Sequence, residues 1–550
     1  MTVAPTGAPP IGIDPPPWSG ELHPRHRGND LHRGVLSHLE VFGQSLAATG
    51  PSIAIAGTVP IAYGIAGTGT IYSFVFGTII VLLVGYAVAQ FARRAASTGS
   101  LYSFVTAGVG RTAGFATGWG LVIGYTGIAS ACLCGSALYA GALLDEVGLT
   151  GSTPSVLAGL LVAATVTAAL IPLRGVRVSV RVGIVLEVIS LIAIFAVLVA
   201  TVVHFGAHLD TTQFTAKGSS ANAIALGAVV AVTCFVGFES AGSLGVEARN
   251  PFVAIPRAVL FTVAGAGVLY IVSTYIQVIG YQRVATPLAS TSAPLNAIAD
   301  AAGASWLSGV IDVGITVSAL ACASASLTGA ARTLFNLSRE RALPPLFGQA
   351  HARFRTPHLA IGVLAPIGAA VPLAFLLFGS DLLTAYGDTA IVGTFGYLLA
   401  YLLVAIAAPL YRRRLGEPLG VLLPVISTLA FAAILYVLYR NLVPVPAWPL
   451  LLLPYVFAGL LVAGLGWYAL LRARDPGRTS RLGGFVLHAT GVPAAHQAPV
   501  SDEAVETSTP TSTSTSTSTV TDTDPDPDPG RPPATVQAVE TPVAAAEGTL

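Results

Sequence analysis

The chain has 550 residues, of which 53% are hydrophobic and 10% are charged, and its formal net charge is +1. Soluble domains carry about 25% charged residues, so this chain has too few to cover its surface against water, and a lipid bilayer is the expected solvent. The balanced charge gives no indication of nucleic-acid binding, and no basic cluster is interleaved with aromatic residues.

The two ends of the chain differ in composition from its centre. Residues 1–35 contain Pro, His and Arg without an apolar core, which indicates a flexible cytoplasmic leader rather than a cleavable signal peptide. Residues 473–550 turn polar and include a Thr/Ser alternation from Thr511 to Thr519 followed by an Asp-Pro run. Such a composition cannot bury a core, so a disordered Thr/Ser/Pro/Asp-rich tail is predicted there.

Between these ends, twelve stretches are apolar and long enough to cross a bilayer, which takes about 20 residues. They run over 36–64, 69–92, 113–143, 154–172, 179–204, 221–245, 257–281, 305–333, 358–379, 385–410, 418–439 and 448–471. We number them as spans 1 to 12. The chain is therefore predicted to be an all-α integral membrane protein whose membrane domain covers residues 36–472.

Basic residues divide between the loops in a regular way. Loops after odd-numbered spans contain Lys217, Arg283 and Arg440, together with acidic residues such as Asp145 and Glu146. Loops after even-numbered spans contain Arg93, Arg94, Arg111, Arg174, Arg177, Arg249, Arg257, Arg339, Arg341, Arg353, Arg355, Arg412, Arg413 and Arg414. Because basic residues are retained on the cytoplasmic side, both termini are predicted to be cytoplasmic.

Nothing in the sequence predicts a catalytic site, a metal site or a cofactor. Cys132, Cys134, Cys234 and Cys322 all lie in apolar stretches without metal-ligand spacing, and are expected to be buried as small apolar residues. A membrane enzyme would need His, Asp or Cys clustered at one membrane face, and a channel would need rings of like residues or a re-entrant filter. Neither pattern is present in the sequence.

Helix-breaking residues occur near the middle of two spans. Span 1 contains Gly50-Pro51, and span 6 contains Gly237 followed by Phe238 and Glu239. If ten spans form two halves of five, these are corresponding positions, which favours a transporter with inverted repeats. An unwound turn offers N–H groups to a carboxylate and carbonyl groups to an ammonium, and an amino acid carries both. The alternative is a simple packing kink in each span.

Several motifs resemble those of the amino acid–polyamine–organocation (APC) permeases, over about residues 36–472. The most specific is in span 6 and the loop that follows it. The matching stretches are Phe235-Val236-Gly237-Phe238-Glu239, Glu247-Ala248-Arg249-Asn250-Pro251, Ile255-Pro256-Arg257, Gly99-Ser100-Leu101-Tyr102, Gly114-Phe115 through Gly118-Trp119, and Arg332 through Asn336 to Pro344.

The resemblance implies a leucine-transporter-type fold, in which spans 1–5 and 6–10 are inverted repeats and spans 11–12 are additional. It also implies alternating access, coupled to a proton or sodium gradient or to exchange. The substrate contacts carried over by position are Gly50, Ser52, Ile53, Thr233, Phe235 and Gly237. Pro51 removes one backbone donor that many relatives have, and Phe235 is a better gate candidate than Thr233.

Glu239, beside the break in span 6, is the first ionisable candidate, since a carboxylate within a span is a functional candidate by default. Relatives usually carry an acidic residue there. We expect Glu239 to hold the unwound segment by accepting backbone hydrogen bonds, and a direct contact with the substrate's ammonium group is the alternative. Glu247 and Arg249 are expected to clamp the cytoplasmic loop that follows.

Glu187 in span 5 is the second candidate. Some proton-coupled relatives carry a lysine three residues further on, where this chain has Ser190. One hypothesis is that Glu187 carries the proton, because burial favours the protonated form of a carboxyl group; another is that Ser190 lies near a sodium-like site with Ser324 or Ser326. A third is that Glu187 pairs with an arginine at the cytoplasmic rim. Asp312 and Asp388 are expected to be solvated vestibule groups.

These observations predict a secondary active transporter for amino acids in the plasma membrane, with a proton gradient as the favoured coupling. Amine or polyamine transport, sodium coupling and exchange stay open as alternatives. The expected partners are an amino acid or amine substrate, a proton or sodium ion and the lipid bilayer. A transporter-like nutrient sensor, which binds without moving its ligand, is the alternative from another class.

Overall fold

The computed structural model describes residues 31–206, 210–284, 293–443, 450–479, 482–483 and 487–488. Within these residues, the α-helices are α1 (His38–Thr49), α2 (Pro51–Ala66), α3 (Thr70–Ala92), α4 (Leu101–Gly108), α5 (Arg111–Glu146), α6 (Pro154–Leu173), α7 (Val176–Phe205), α8 (Thr211–Thr215), α9 (Ala221–Thr233), α10 (Pro251–Tyr281), α11 (Pro294–Ala301), α12 (Ser308–Arg339), α13 (His358–Leu377), α14 (Leu382–Arg414), α15 (Leu422–Leu442), α16 (Leu453–Arg474) and α17 (Pro476–Thr479). Two short strands, β1 (Ala95–Ala96) and β2 (Leu487–His488), pair antiparallel.

Eleven stretches in the described part of the chain are long and apolar enough to cross a membrane. The first, His38–Ala92, has 55 residues and as one helix would measure about 80 Å, against about 30 Å for the hydrocarbon core of a bilayer. It comprises α1, α2 and α3 and corresponds to spans 1 and 2. The total therefore agrees with the twelve predicted spans, and the chain is a multi-pass membrane protein.

Spans 3 and 10 approach each other closely through small residues inside the bundle. In the most apolar part of α5 78% of the residues are buried inside the protein, against 11% in α16. A Cβ atom on Gly127 of α5 would lie 2.8 Å from Cα of Gly393 in α14. Glycine at both positions lets the two backbones touch, a common way of packing helices where lipid provides no hydrophobic driving force.

An ion pair joins the loop after span 6 to span 8. Glu247 Oε2 accepts hydrogen bonds from Arg332 Nη2 at 2.7 Å and from Nε at 3.0 Å, and both side chains are almost fully buried. The expectation that Glu247 clamps this loop is therefore confirmed. The expectation for Arg249 was wrong, because its side chain is exposed and only its backbone N–H is engaged, with the Leu36 carbonyl at 3.0 Å.

Residues of both predicted terminal segments that lie nearest to the membrane domain in the sequence pack against it. Leu31, assigned to the leader, is buried with Phe335. At the other end, Leu482 is buried with Tyr102, and Gly483 N–H donates to Glu340 Oε2 at 2.8 Å. Residues just outside the predicted limits 36–472 thus pack on residues inside them. The rest of the leader (1–30) and most of the predicted tail lie outside the described residues.

We predict that Glu247→Ala destabilises the protein by about 3–5 kcal/mol, because Arg332 would remain buried without its counter-charge. The measurement is thermal unfolding of the purified protein in detergent. Glu417→Ala is the control: Glu417 pairs with Arg94 at 2.6 Å, but its side chain is 33% exposed, and exposed pairs contribute about 0–1 kcal/mol. Equal losses of stability in the two variants would contradict the role of the Glu247 pair.

Candidate functional site

Span 1 is interrupted where the sequence predicts. Helix α1 ends at Thr49, Gly50 adopts a left-handed conformation with φ +55°, and Pro51 begins α2. A Cβ atom on Gly50 would lie 3.0 Å from Cβ of Cys322 in span 8. Glycine is therefore favoured here both by its backbone conformation and by the close approach of another helix. Proline is tolerated as the first residue of α2 because that position needs no N–H.

Span 6 is interrupted at the corresponding place, and the two breaks lie against each other. Helix α9 ends at Thr233, a run of turns leads to Gly237 with φ +98°, and a 3-10 helix continues over Phe238–Leu244. A Cβ atom on Gly237 would lie 2.5 Å from the carbonyl oxygen of Ala48. The Ser45 hydroxyl of α1 also donates to the Phe238 carbonyl. The unwound segments thus form one packed unit.

Glu187 joins spans 1, 5 and 8 from within the bundle. Its side chain is fully buried. Oε1 accepts from the Ser52 amide at 3.1 Å and the Ser52 hydroxyl at 3.0 Å, while Oε2 accepts from the Ser318 hydroxyl at 2.8 Å. The alternative in which Glu187 pairs with an arginine was wrong, since Arg181 instead donates to Glu40 at 2.8 Å.

The occupied Ser52 amide changes the interpretation of the span 1 break. Ser52 was predicted to contact the substrate, and in this structure its N–H donates to the carboxylate of Glu187. Pro51 has no N–H, and the Ala54 amide donates to the Gly50 carbonyl at 3.0 Å. Among the described residues, the Ile53 amide makes no hydrogen bond, so it is the free donor at the start of α2.

Glu239 has side-chain partners that the sequence did not indicate. It is fully buried, and its two carboxylate oxygens accept from the hydroxyls of Tyr125 and Tyr401, each at 2.7 Å. These tyrosines belong to spans 3 and 10. Glu239 therefore fastens the unwound part of span 6 to two neighbouring spans through tyrosine hydroxyls, in addition to the backbone N–H groups that were expected.

A cavity of about 400 Å³ adjoins the first turns of α2. Its walls are almost wholly apolar, and its lining residues are Ile53, Ala56, Gly57, Pro60, Ile61, Gly64, Gly135, Leu138, Tyr139, Pro294, Leu383, Tyr386 and Gly387. Of the predicted substrate contacts, Ile53 is the one that lines it. The sequence analysis did not identify Tyr386. A Cβ atom on Gly57 would lie 3.0 Å from the Tyr386 hydroxyl, so the glycine at position 57 is the sequence feature that could have indicated a side chain packed there.

The predicted contacts in span 6 lie elsewhere. Phe235 is fully buried and packs edge-to-face on Tyr270, with ring centroids 5.0 Å apart. The Thr233 hydroxyl donates to the Val230 carbonyl of its own helix at 2.7 Å. Neither residue lines the cavity, and the role of Phe235 as a gate stays a prediction.

The serines proposed for a sodium-like site are not brought together. Ser190, Ser324 and Ser326 are each buried, with hydroxyls that have no partner among the described residues. Ser190 Cα would lie 3.4 Å from a Cβ on Gly314, and Gly314 precedes Ser324 by ten residues, or about 15 Å along a helix. The serine that does face span 5 beside Glu187 is Ser318.

Comparison with known proteins agrees with these features. A family model described as amino acid permease matches residues 39–460. The chain is 23% identical over 422 residues to the branched-chain amino acid permease BcaP of Bacillus subtilis (strain 168), covering 74% of this chain and 83% of that protein. It is 25% identical over 337 residues to the low-affinity putrescine importer PlaP of Escherichia coli (strain K12), covering 60% of this chain and 71% of that protein.

A solved structure shares the fold: MhsT in complex with L-phenylalanine, with a TM-score of 0.53, 12% identity, and coverage of 75% of this chain and 99% of that chain. At this identity the likeness shows the fold alone. The predicted leucine-transporter-type fold, all-α with two inverted repeats of five spans, is thereby confirmed. Because the family model matches well over half of its residues, the chain belongs to the amino acid permease family of the APC superfamily.

Proposed function

We propose that the protein is a secondary active transporter for amino acids, working by alternating access in the plasma membrane with both termini in the cytoplasm. The observation that carries this proposal is the contact between the two broken helices, where Gly237 lies against Ala48, next to the break at Gly50. Broken helices in corresponding repeats build substrate sites in such transporters. The family membership supports transport, and the arginine-rich even-numbered loops support the orientation.

A zwitterionic amino acid with an apolar side chain suits the cavity best. None of the residues that line it carries a charge, so a charged side chain would lose its hydration without gaining a partner. The Ile53 amide at the N-terminus of α2 is a suitable donor for the substrate's carboxylate, since helix N-termini attract anions. The name of one relative, a branched-chain amino acid permease, points the same way.

An amine is the second candidate, and a specific contact favours it. The Glu187 carboxylate occupies the Ser52 amide, a place where the substrate's own carboxylate was expected to bind. An amine without a carboxylate would leave that contact intact. One relative is named as a putrescine importer.

Proton coupling through Glu187 is the coupling mechanism we propose. Glu187 accepts three hydrogen bonds that tie span 5 to spans 1 and 8. Protonation would turn one acceptor oxygen into a donor and so weaken the attachment of span 1. Burial favours that neutral form. The separation of Ser190 from Ser324 weighs against the sodium alternative.

Uptake into proteoliposomes tests both substrate and coupling. We expect saturable uptake of apolar amino acids, driven by an inward proton gradient and unaffected by sodium. Labelled apolar, polar and charged amino acids and putrescine form the panel, and each is measured with an imposed proton gradient, a sodium gradient or none. Uptake of putrescine alone would favour the amine candidate, and no saturable uptake of any member would favour a nutrient sensor.

Gly237→Ala tests the position of the span 6 break. A side chain at φ +98° would meet the Ala48 carbonyl, and such backbone strain costs about 1–3 kcal/mol. We expect uptake to fall by about tenfold while the protein still reaches the membrane, and Gly237→Ile to abolish uptake. Gly265→Ala is the control, because a Cβ there meets no atom within 4 Å. Normal uptake by Gly237→Ala would refute the assignment.

Glu187→Gln tests the proton coupling. Glutamine keeps the size, an acceptor for the Ser52 amide and an NH2 group that can donate to the Ser318 hydroxyl, but it cannot titrate, so we expect the uptake rate to lose its dependence on external pH. The measurement is initial uptake across a series of external pH values, with Glu417→Gln in a cytoplasmic loop as the matched control. An unchanged pH profile in Glu187→Gln would rule out this role for Glu187.

A further inference from the structure

Helix α11, between spans 7 and 8, forms part of the outer wall of the cavity. Pro294 at its start lines the cavity, and Leu295 and Ile298 are fully buried. A Cβ atom on Gly280 of α10 would lie 2.7 Å from Ile298, so α11 sits directly on span 7. Any interaction that holds α11 against the bundle therefore controls the outer side of the cavity.

One polar interaction holds α11 to span 8. Asp312 of α12 was expected to be solvated, but it is fully buried. Its Oδ1 accepts a hydrogen bond from Asn296 Nδ2 of α11 at 3.0 Å. The two remaining atoms of the pair, Asp312 Oδ2 and Asn296 Oδ1, are both buried without a hydrogen-bond partner in the described part of the chain.

We propose that Asp312 and Asn296 form a proton-binding site, in which a proton on Asp312 Oδ2 is shared with Asn296 Oδ1 and fastens α11 to span 8. A carboxamide presents one donor and one acceptor side by side, and a carboxylic acid presents the complementary set. An ionised carboxylate presents acceptors only. One of the two possible bonds is formed, and the two unpaired atoms are both acceptors, so a single proton satisfies both.

Other ways of satisfying these atoms are less suitable. Flipping the Asn296 amide would place its oxygen against Asp312 Oδ1. Asp312 Oδ1 would then be unpaired instead of Oδ2, and the Asn296 oxygen would still have no donor. A hard cation such as Ca²⁺ or Mg²⁺ takes about six oxygen ligands or more. Within the described residues, no group of three His, Cys, Asp or Glu side chains is placed to hold a metal ion.

Among the described residues, few titratable groups lie around Asp312. From α5, Glu146 and Tyr139 are near enough to interact with it electrostatically, and Asp300 of α11 interacts with Glu146. From α7, His204 lies beside Gly303 in the loop before α12. Helix α6 carries no titratable residue, and α13 carries only His358, at its other end. No lysine or arginine among the described residues pairs with Asp312.

The consequence is an outer wall that responds to external pH. A proton taken up from outside closes the second hydrogen bond and holds α11 in place, and its release leaves one bond and two unpaired acceptors. The proton is bound and released without any other reactant. The site itself is independent of the proposed transport; only its effect on uptake rests on that function.

Hydrogen exchange in residues 294–301 of the purified full-length protein tests the pair. We expect the protection factors of these amides, corrected for the intrinsic pH dependence of exchange, to fall by about tenfold as pH rises. A tenfold change corresponds to the loss of roughly one hydrogen bond. Asp312→Asn keeps two hydrogen bonds as an amide–amide pair and should stay protected at every pH. Asp312→Ala should be unprotected throughout, and Asn296→Ala gives the same comparison if Asp312→Ala fails to fold.

Asp388→Asn is the matched control, since Asp388 is also buried, at 9% exposure in α14, and its replacement should leave the wild-type pH response intact. Infrared difference spectra between wild type and Asp312→Asn should show a protonated carboxyl band that disappears at high pH. Protection that does not change with pH in the wild type, loss of protection in Asp312→Asn, or absence of the carboxyl band would overturn the proposal. Neither measurement needs transport, so a failure of the proposed function would be recognised separately.

Discussion

Backbone groups that leave a helix within a bilayer must find partners inside the protein, because hydrocarbon offers none. The structure meets this requirement with side chains from other spans. The Cys234 carbonyl accepts from the Tyr270 hydroxyl of span 7 at 2.9 Å, and the Phe238 carbonyl accepts from Ser45 of span 1. The Ser52 amide donates to Glu187 of span 5. Each break is therefore attached to other helices, and the arrangement of the bundle depends on these attachments.

Glu239 and Glu187 are buried carboxylates that help to meet this requirement, but they bind different neighbours. Glu239 belongs to the broken span 6 and takes its hydrogen bonds from Tyr125 and Tyr401 on unbroken helices. Glu187 belongs to an unbroken span and takes two of its three bonds from Ser52 at the break in span 1. A change at Glu187 thus acts directly on backbone at the break, whereas Glu239 acts as a fixed support.

The spans and the two breaks could be predicted from the sequence because their signals are local, whereas the leucine-transporter-type fold was implied by the resemblance to the APC permeases. Apolar stretches about 20 residues long give the spans, and Gly50-Pro51 and Gly237 give the breaks, since both act on the backbone that contains them. The partners could not be predicted, because they depend on how each helix is rotated in the bundle. Ser52 and Glu187 are 135 residues apart, and the side on which Phe235 leaves the unwound turn is not set by neighbouring residues.

Span 8 connects the carboxylate of Glu187, inside the bundle, to that of Asp312, beside α11. Ser318, which donates to Glu187, follows Asp312 by six residues on α12, so the two contacts are about 9 Å apart along one continuous helix. Asp312 and Ser318 lie on one continuous helix, and the segment between them contains neither a Gly-Pro pair nor a break. A rotation of α12 that separates Asp312 from Asn296 would therefore also move Ser318 relative to Glu187. On the proposal that both carboxyl groups bind protons, α12 is the element that connects the two sites.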